Sequence, residues 1–305
     1  MQLLLLFHLI TLLSSATVTR HLWISGDKID KKISKYPVDI LTGKGEDGPE
    51  QLDMVTFDAR TRWPECDSIS VIYDQSECDA SWAFASSGSI SDRHCIHSGG
   101  MFNSILSAQE LLTCCTGVLS CGEGCNGGSA FKAWQYWTKH GLPTGGIYGS
   151  MDGCKPYTIG SMDNFTYPEY KNHTVSTPAC SKSCQDSYPI DLEKDRHFGT
   201  SFSYIPNSQY SLQSDLMENG PLTCIFEIYE DFLTYQSGVY VHLDGSKVGH
   251  IYVRLVGFGQ YEGVPFWTLA NSWGPTWAEN GTFRVLRGVN ECGIEGNCVS
   301  GMPRI

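Results

Sequence analysis

Thirteen cysteines are the strongest constraint on what this 305-residue chain can become. Read together with the N-terminus, they point to disulfides rather than to metal. Residues Met1 to about Ala16 carry a Leu-rich core from Gln2 to Leu13, then the small residues Ser14 and Ala16, which is the form of a cleaved secretory signal. The stretch is shorter than the roughly 20 apolar residues of a membrane-spanning helix. A chain exported through an oxidising compartment pairs its cysteines, whereas a cytosolic chain would keep them for metal or catalysis. Cys95 stands between His94 and His97 and imitates a ligand set, but oxidation removes the thiolate such a set needs; neither metal nor cofactor is expected. Sequons at Asn164, Asn172 and Asn280 are candidate glycosylation sites and agree with the same route.

The net charge of −12, with no run of Lys or Arg, argues against a nucleic-acid partner, since phosphate binding needs a clustered positive face. With 41% hydrophobic residues and eight Trp the chain can bury a sizeable core, in one or two domains. Residues 17–54 are polar, with Lys31, Lys32, Lys35 and a Gly-rich patch at 43–48, and read as a weakly ordered pro-segment or linker. The folded body is expected over 55–305.

Within that body, small residues from Ala83 to Ser89 lead to Ile90, a composition that lets a helix be packed closely on several sides. Ser81 is placed at the N-terminus of this helix, where a simple N-cap role is one reading of it. Ser107 followed by Glu110 is a capping-box pattern, and Leu111, Leu112 and Cys115 give the ensuing helix an apolar face. Ala130, Trp134 and Trp137 recur at helical spacing and read as core. Ser208 to Asn219 reads as another helix, stopped by Gly220 and Pro221. After it the period changes. Leu222–Ile228, Gly238–Val241, Ile251–Val256, Phe266–Ala270 and Thr282–Leu286 are short β-branched or aromatic runs between turn residues. A helical first half and a strand-rich second half predict an α+β protein of two subdomains.

The segment from Asp74 to Phe84 reads Asp-Gln-Ser-Glu-Cys-Asp-Ala-Ser-Trp-Ala-Phe. It resembles the nucleophile segment of papain-like cysteine proteases, Asp-Gln-Gly-x-Cys-Gly-Ser-Cys-Trp-Ala-Phe, with Ser81 at the nucleophile position and Ser76, Asp79 and Ala80 replacing smaller or different residues of the pattern. Other landmarks follow in order. Gln75 matches the oxyanion-hole glutamine, Cys125-Asn-Gly127-Gly128 the backbone platform for substrate, Gly249-His250 the general-base histidine, and Asn271-Ser-Trp273 the orienting asparagine with its shielding Trp. The resemblance therefore implies a papain-like fold with a cleft between its halves, catalytic positions Ser81, His250, Asn271 and Gln75, and substrate-binding positions Gly127, Gly128, Asp79, Gly249, Trp273 and Asn297.

Shorter agreements narrow the resemblance to the cathepsin B branch: Ser91-Asp-Arg93 with Cys95-Ile-His97, Thr113-Cys-Cys115, Cys154-Lys-Pro-Tyr157 and Cys292-Gly-Ile-Glu295. That branch's pattern implies disulfides Cys66–Cys95, Cys78–Cys125, Cys114–Cys180, Cys115–Cys121 and Cys154–Cys184, leaving Cys224, Cys292 and Cys298 for one further bridge and one thiol. The branch also implies a propeptide longer than 17–54, an acidic residue where Asn297 stands, and, after Tyr157, an occluding loop with two Cys and a His pair that this chain lacks.

Papain-like catalysis pairs a thiolate with imidazolium, the Cys pKa being drawn well below about 8.5. A serine hydroxyl is too weak an acid to form that pair. Serine hydrolases use a neutral His and a buried Asp instead, and replacing that Asp by Asn costs roughly 10⁴ in rate, about 5 to 6 kcal/mol; here the third residue is Asn271. Asp79 adds bulk and negative charge where substrate backbone would lie, and the chain between His250 and Gly257 is one residue longer than the family pattern, which predicts a bulge or a histidine turned out of line. The expectation is a secreted or lysosomal peptidase homologue without hydrolysis, its cleft open to peptides or protease inhibitors. A slow serine-type peptidase and an extracellular scaffold are the alternatives.

Overall fold

The computed structural model describes residues 55–117, 120–160 and 175–305. The expected signal at 1–16, the 17–54 segment and the sequons at Asn164 and Asn172 lie outside them. The third sequon, Asn280, is exposed at a turn in the left-handed conformation (φ 53°).

Five α-helices occur among the described residues: α1 (Ala59–Arg62), α2 (Ser81–His97), α3 (Ala108–Cys114), α4 (Ala130–His140) and α5 (Gln209–Asn219). The strands are β1 (Phe57–Asp58), β2 (Gly199–Tyr204), β3 (Leu222–Tyr229), β4 (Val239–Tyr240), β5 (Lys247–Tyr261), β6 (Val264–Ala270), β7 (Thr282–Leu286) and β8 (Cys298–Pro303). They form one sheet in the order β2-β8-β3-β5-β6-β7-β4, with β1 on β5; only the β4–β7 pair is parallel. The α+β expectation holds. β2 and β8, rich in Ser and Gly, carry too little alternation to be seen in sequence.

Helix α2 is the shared wall of the molecule. Every residue from Ser81 to Cys95 is buried, so it has no solvent face and no apolar stripe. Its small side chains make this possible, because their hydroxyls return to the helix itself: Ser86 Oγ donates to the Trp82 carbonyl at 2.7 Å and Ser91 Oγ to that of Ser87 at 2.6 Å. On one side lies a core built on Trp82, Phe84, Leu111, Trp134 and Trp137. The strand half has its own core around Phe226, Phe232, Val253, Trp267 and Phe283. Arg254 of β5 ties the two halves, donating to Asp92 Oδ2 of α2 at 2.8 Å and to the carbonyls of Ser68 and Val71. Removing either partner of this buried pair would strand an unpaired charge.

Three local expectations change. Ser81 is the first helical residue and not the N-cap, which is Ala80. Ser107 Oγ does accept from Glu110 N–H at 2.9 Å, but Glu110 does not answer with its carboxylate: Ser107 N–H goes to the Pro143 carbonyl, while Glu110 binds Lys155, Arg196 and Tyr136 in the interior. The predicted strand at Ile251–Val256 is the middle of the much longer β5.

The cysteines pair as Cys66–Cys95, Cys78–Cys125, Cys114–Cys180, Cys115–Cys121, Cys154–Cys184 and Cys224–Cys298. The sixth joins neighbouring positions of β3 and β8, a pairing only the sheet register decides. Cys292 keeps its thiol, buried, with Glu291 Oε1 at 3.8 Å. Cys95 is thus committed to a bridge, and no group of His, Cys, Asp and Glu among the described residues could hold a metal ion. No described helix is long and apolar enough to cross a membrane.

Candidate functional site

Two segments distant in sequence are zipped together at the top of α2. Gln75 N–H donates to the Ser272 carbonyl at 2.9 Å, Gly274 N–H to that of Tyr73 at 3.0 Å, and Asp74 pairs with Trp273. Side chains repeat the join: Ser272 Oγ donates to Gln75 Oε1 at 2.7 Å, and Gln75 Nε2 donates to the Cys78 carbonyl at 2.8 Å. Gln75 is therefore buried and held at both ends of its amide. Trp273 packs edge-on to Trp277, with centroids 5.0 Å apart.

Ser81 lies beside this junction, 2% exposed. Its Oγ accepts from the backbone N–H of Tyr252 on β5, at 3.2 Å. No hydrogen bond joins it to His250. The reason lies in β5. Its ladder with β3 runs without a break from Leu255 opposite Leu222 to Gly249 opposite Ile228, so side chains alternate strictly. Ile251, Val253 and Leu255 enter the second core, against which Trp273 packs, and Ile251 is fully buried. Tyr252 and Arg254 face the first half, and His250, on the same side and farther out, is exposed. The additional residue between His250 and Gly257 is accommodated at Val256, where the pairing with β6 slips from Leu255–Leu269 to Gly257–Thr268. The bulge expected there exists on the β6 side only.

Asn271 makes no hydrogen bond to the His250 imidazole. Its Oδ1 accepts from Ser272 N–H at 2.8 Å, and its Nδ2, buried, has no hydrogen-bond partner. The structure thus joins Gln75 to the Asn271–Trp273 segment, sets Ser81 against the Tyr252 backbone, and shows no hydrogen bond from Ser81, Gln75 or Asn271 to His250. The residue beside Ser81 is instead Tyr252, through its backbone N–H, and Ile251 on the same strand turns into the second core. Neither was marked in the sequence, although the one-residue excess before Gly257 carried the signal, since in a strand an odd shift reverses every side chain.

The opposite wall is the 121–128 turn. Gly128 needs its missing side chain: a Cβ there would stand 2.4 Å from the Trp82 ring. Gly127 has φ +103°, open to glycine, and Asp79 is bound to the same turn through its N–H to the Cys125 carbonyl at 3.0 Å. Burial pushes the Asp79 carboxyl above the usual range, and nearby His250 draws it part of the way back. Gly249 has open space around it, and Asn297 is exposed, its carbonyl accepting from Ile225 N–H at 3.2 Å. Ile225 is the cross-strand partner of Tyr252.

A two-core α+β body with the ends of one buried helix and one long strand meeting in a cleft is the architecture of the papain-like peptidases, and the papain family cysteine protease pattern matches residues 54–302. The chain belongs to this family. Within it, the chain is similar to cathepsin B-like cysteine proteinase 5 of Caenorhabditis elegans, 42% identical over 92% of this chain and 86% of that protein. It is similar also to cathepsin B-like cysteine proteinase 4 of the same organism, 43% identical over 82% and 75%. Among solved structures, procathepsin B S9 from Trypanosoma congolense superposes with a TM-score of 0.71 at 35% identity, covering 85% of this chain and 82% of that one.

Proposed function

We propose that this chain is a cathepsin B-like homologue of the secretory pathway, extracellular or lysosomal, that has lost peptide-bond hydrolysis and keeps its cleft as a binding surface for peptides or protease inhibitors. The observation that carries the reading is the hydrogen bond from Tyr252 N–H to Ser81 Oγ in the absence of any bond from Ser81 or Asn271 to His250. Nucleophilic attack by a hydroxyl needs a base within hydrogen-bond reach to take its proton, and the base in turn needs a group that orients it. A backbone N–H cannot accept a proton, and a serine without a base keeps its own. The substitution of Cys by Ser and the displacement of His250 act on different parts of the same step, so each alone removes it. Six disulfides and the leader-like N-terminus support the secretory route.

Hydrolysis of a broad fluorogenic peptide library by the native protein, with Ser81→Ala beside it, is the test. The expected result is no turnover above background in either protein. Cleavage by the native protein that disappears in Ser81→Ala, together with covalent labelling of Ser81 by a fluorophosphonate, would establish the serine-peptidase alternative in its place.

A further inference from the structure

The cleft floor holds one charged group that neither the catalytic pattern nor the fold needs. A Cβ built on Gly127 would meet a single heavy atom within 4 Å, Asp79 Oδ2 at 3.4 Å. The space above this platform glycine is therefore open except for one carboxylate oxygen. Asp79 belongs to the framework only through its backbone, which pairs with Asn126 and donates to Cys125. Among the described residues its carboxylate accepts no hydrogen bond and forms no ion pair. It is nevertheless part-buried, and taking a carboxylate out of water without a partner costs free energy that a ligand cation returns.

The surroundings select the sign and the size of that cation. Lys247, the nearest lysine on β5, is spent on Glu227 at 2.6 Å, and His250 stands outside ion-pair distance of Asp79. A single oxygen presented over a glycine suits a compact point charge better than a planar guanidinium, which gains most from two parallel bonds.

We infer that the cleft recognises a protonated primary amine on its polypeptide ligand, held by Asp79 over Gly127. This rests on the reading of the cleft as a peptide-binding surface and names the chemistry it selects. The amine can be a lysine side chain or a free chain N-terminus, and the two are separable by experiment.

Isothermal titration of the native protein with three pentapeptides of otherwise identical alanine sequence decides it: one acetylated and amidated, one acetylated with a central lysine, one with a free N-terminus. At least one amine-bearing peptide is expected to bind about tenfold tighter than the neutral one, the gain of a charge-assisted hydrogen bond, and which one identifies the source. Asp79→Asn, close in shape, and Asp79→Gly, the family's residue, are both expected to abolish the preference. Equal affinity of all three peptides, or a preference that survives both variants, overturns the ammonium assignment and leaves the peptide-binding cleft standing. No binding of any of the three overturns both.

Discussion

Ser76 illustrates how a single residue departs from the family pattern without harm to the fold. It occupies the position of a glycine and keeps the left-handed backbone that glycine favours, with φ 55°. A serine there carries a steric cost of roughly 1 kcal/mol. Its hydroxyl offsets that by donating to the Gly160 carbonyl at 2.5 Å, a contact glycine could not make. The two effects predict an ordering. Ser76→Ala keeps the strain and loses the bond, so denaturant unfolding should show a loss of about 1 kcal/mol, whereas Ser76→Gly should fall within about 0.5 kcal/mol of the native protein. Ser81 is the contrasting case. Its chemistry was legible from residue type alone, since a hydroxyl cannot be drawn into a thiolate-like ion pair, but its partner was not, because the Tyr252 N–H reaches it across 171 positions of sequence.

At the level of the element, β5 shows how one residue of length can matter as much as the nucleophile. Its register against β3 is held by the burial of Ile251, Val253 and Leu255, and slipping it would expose all three. His250 therefore takes the outward position and Ile251 the buried one beneath the Trp273 side of the core. Restoring the thiol alone should then leave the protein inactive. We expect Ser81→Cys to remain silent towards fluorogenic peptides, and Ser81→Cys combined with deletion of Ile251, which carries His250 into the position Ile251 now fills, to gain measurable turnover. Activity in the single variant would show that His250 reaches the thiolate from its outward place. The helices were more legible than the strands: Ala130 to Trp137 and Ser208 to Asn219 declare themselves by period and caps, while β2 and β8 pair through backbone with little help from side chains.

Over the whole molecule, the helical half carries a histidine cluster that ties stability to pH. His94 is buried against Trp137 and Phe102, with centroids 5.5 and 5.2 Å away, and His197 lies 5.8 Å from it. Burial holds the His94 pKa down to about 3, with His197 and His97 adding to the effect. His197 and His97 are also lowered, chiefly by burial. A folded-state pKa below the unfolded value near 6.5 means that the unfolded chain binds the extra proton, so the stabilisation is fully present above about 6.5 and is lost as pH falls towards 3. His94 alone contributes a slope on the order of 1 kcal/mol per pH unit in that window. Thermal unfolding from pH 7 to pH 4 should fall less steeply in His94→Leu than in the native protein; parallel curves would show that His94 titrates alike in both states.

The order of landmarks from Gln75 to Trp273 was determined by the sequence itself, because it depends on residue type and short spacing, and five of the cysteine pairs followed from the family resemblance those landmarks carry. The sixth bridge, Cys224–Cys298, depended on which strands are neighbours. So did the contact of Ser81 Oγ with the Tyr252 backbone N–H and the outward place of His250. These follow from strand register, where a shift of one residue costs nothing in composition but reverses the face on which every side chain stands, and only the packed sheet decides which face is the interior.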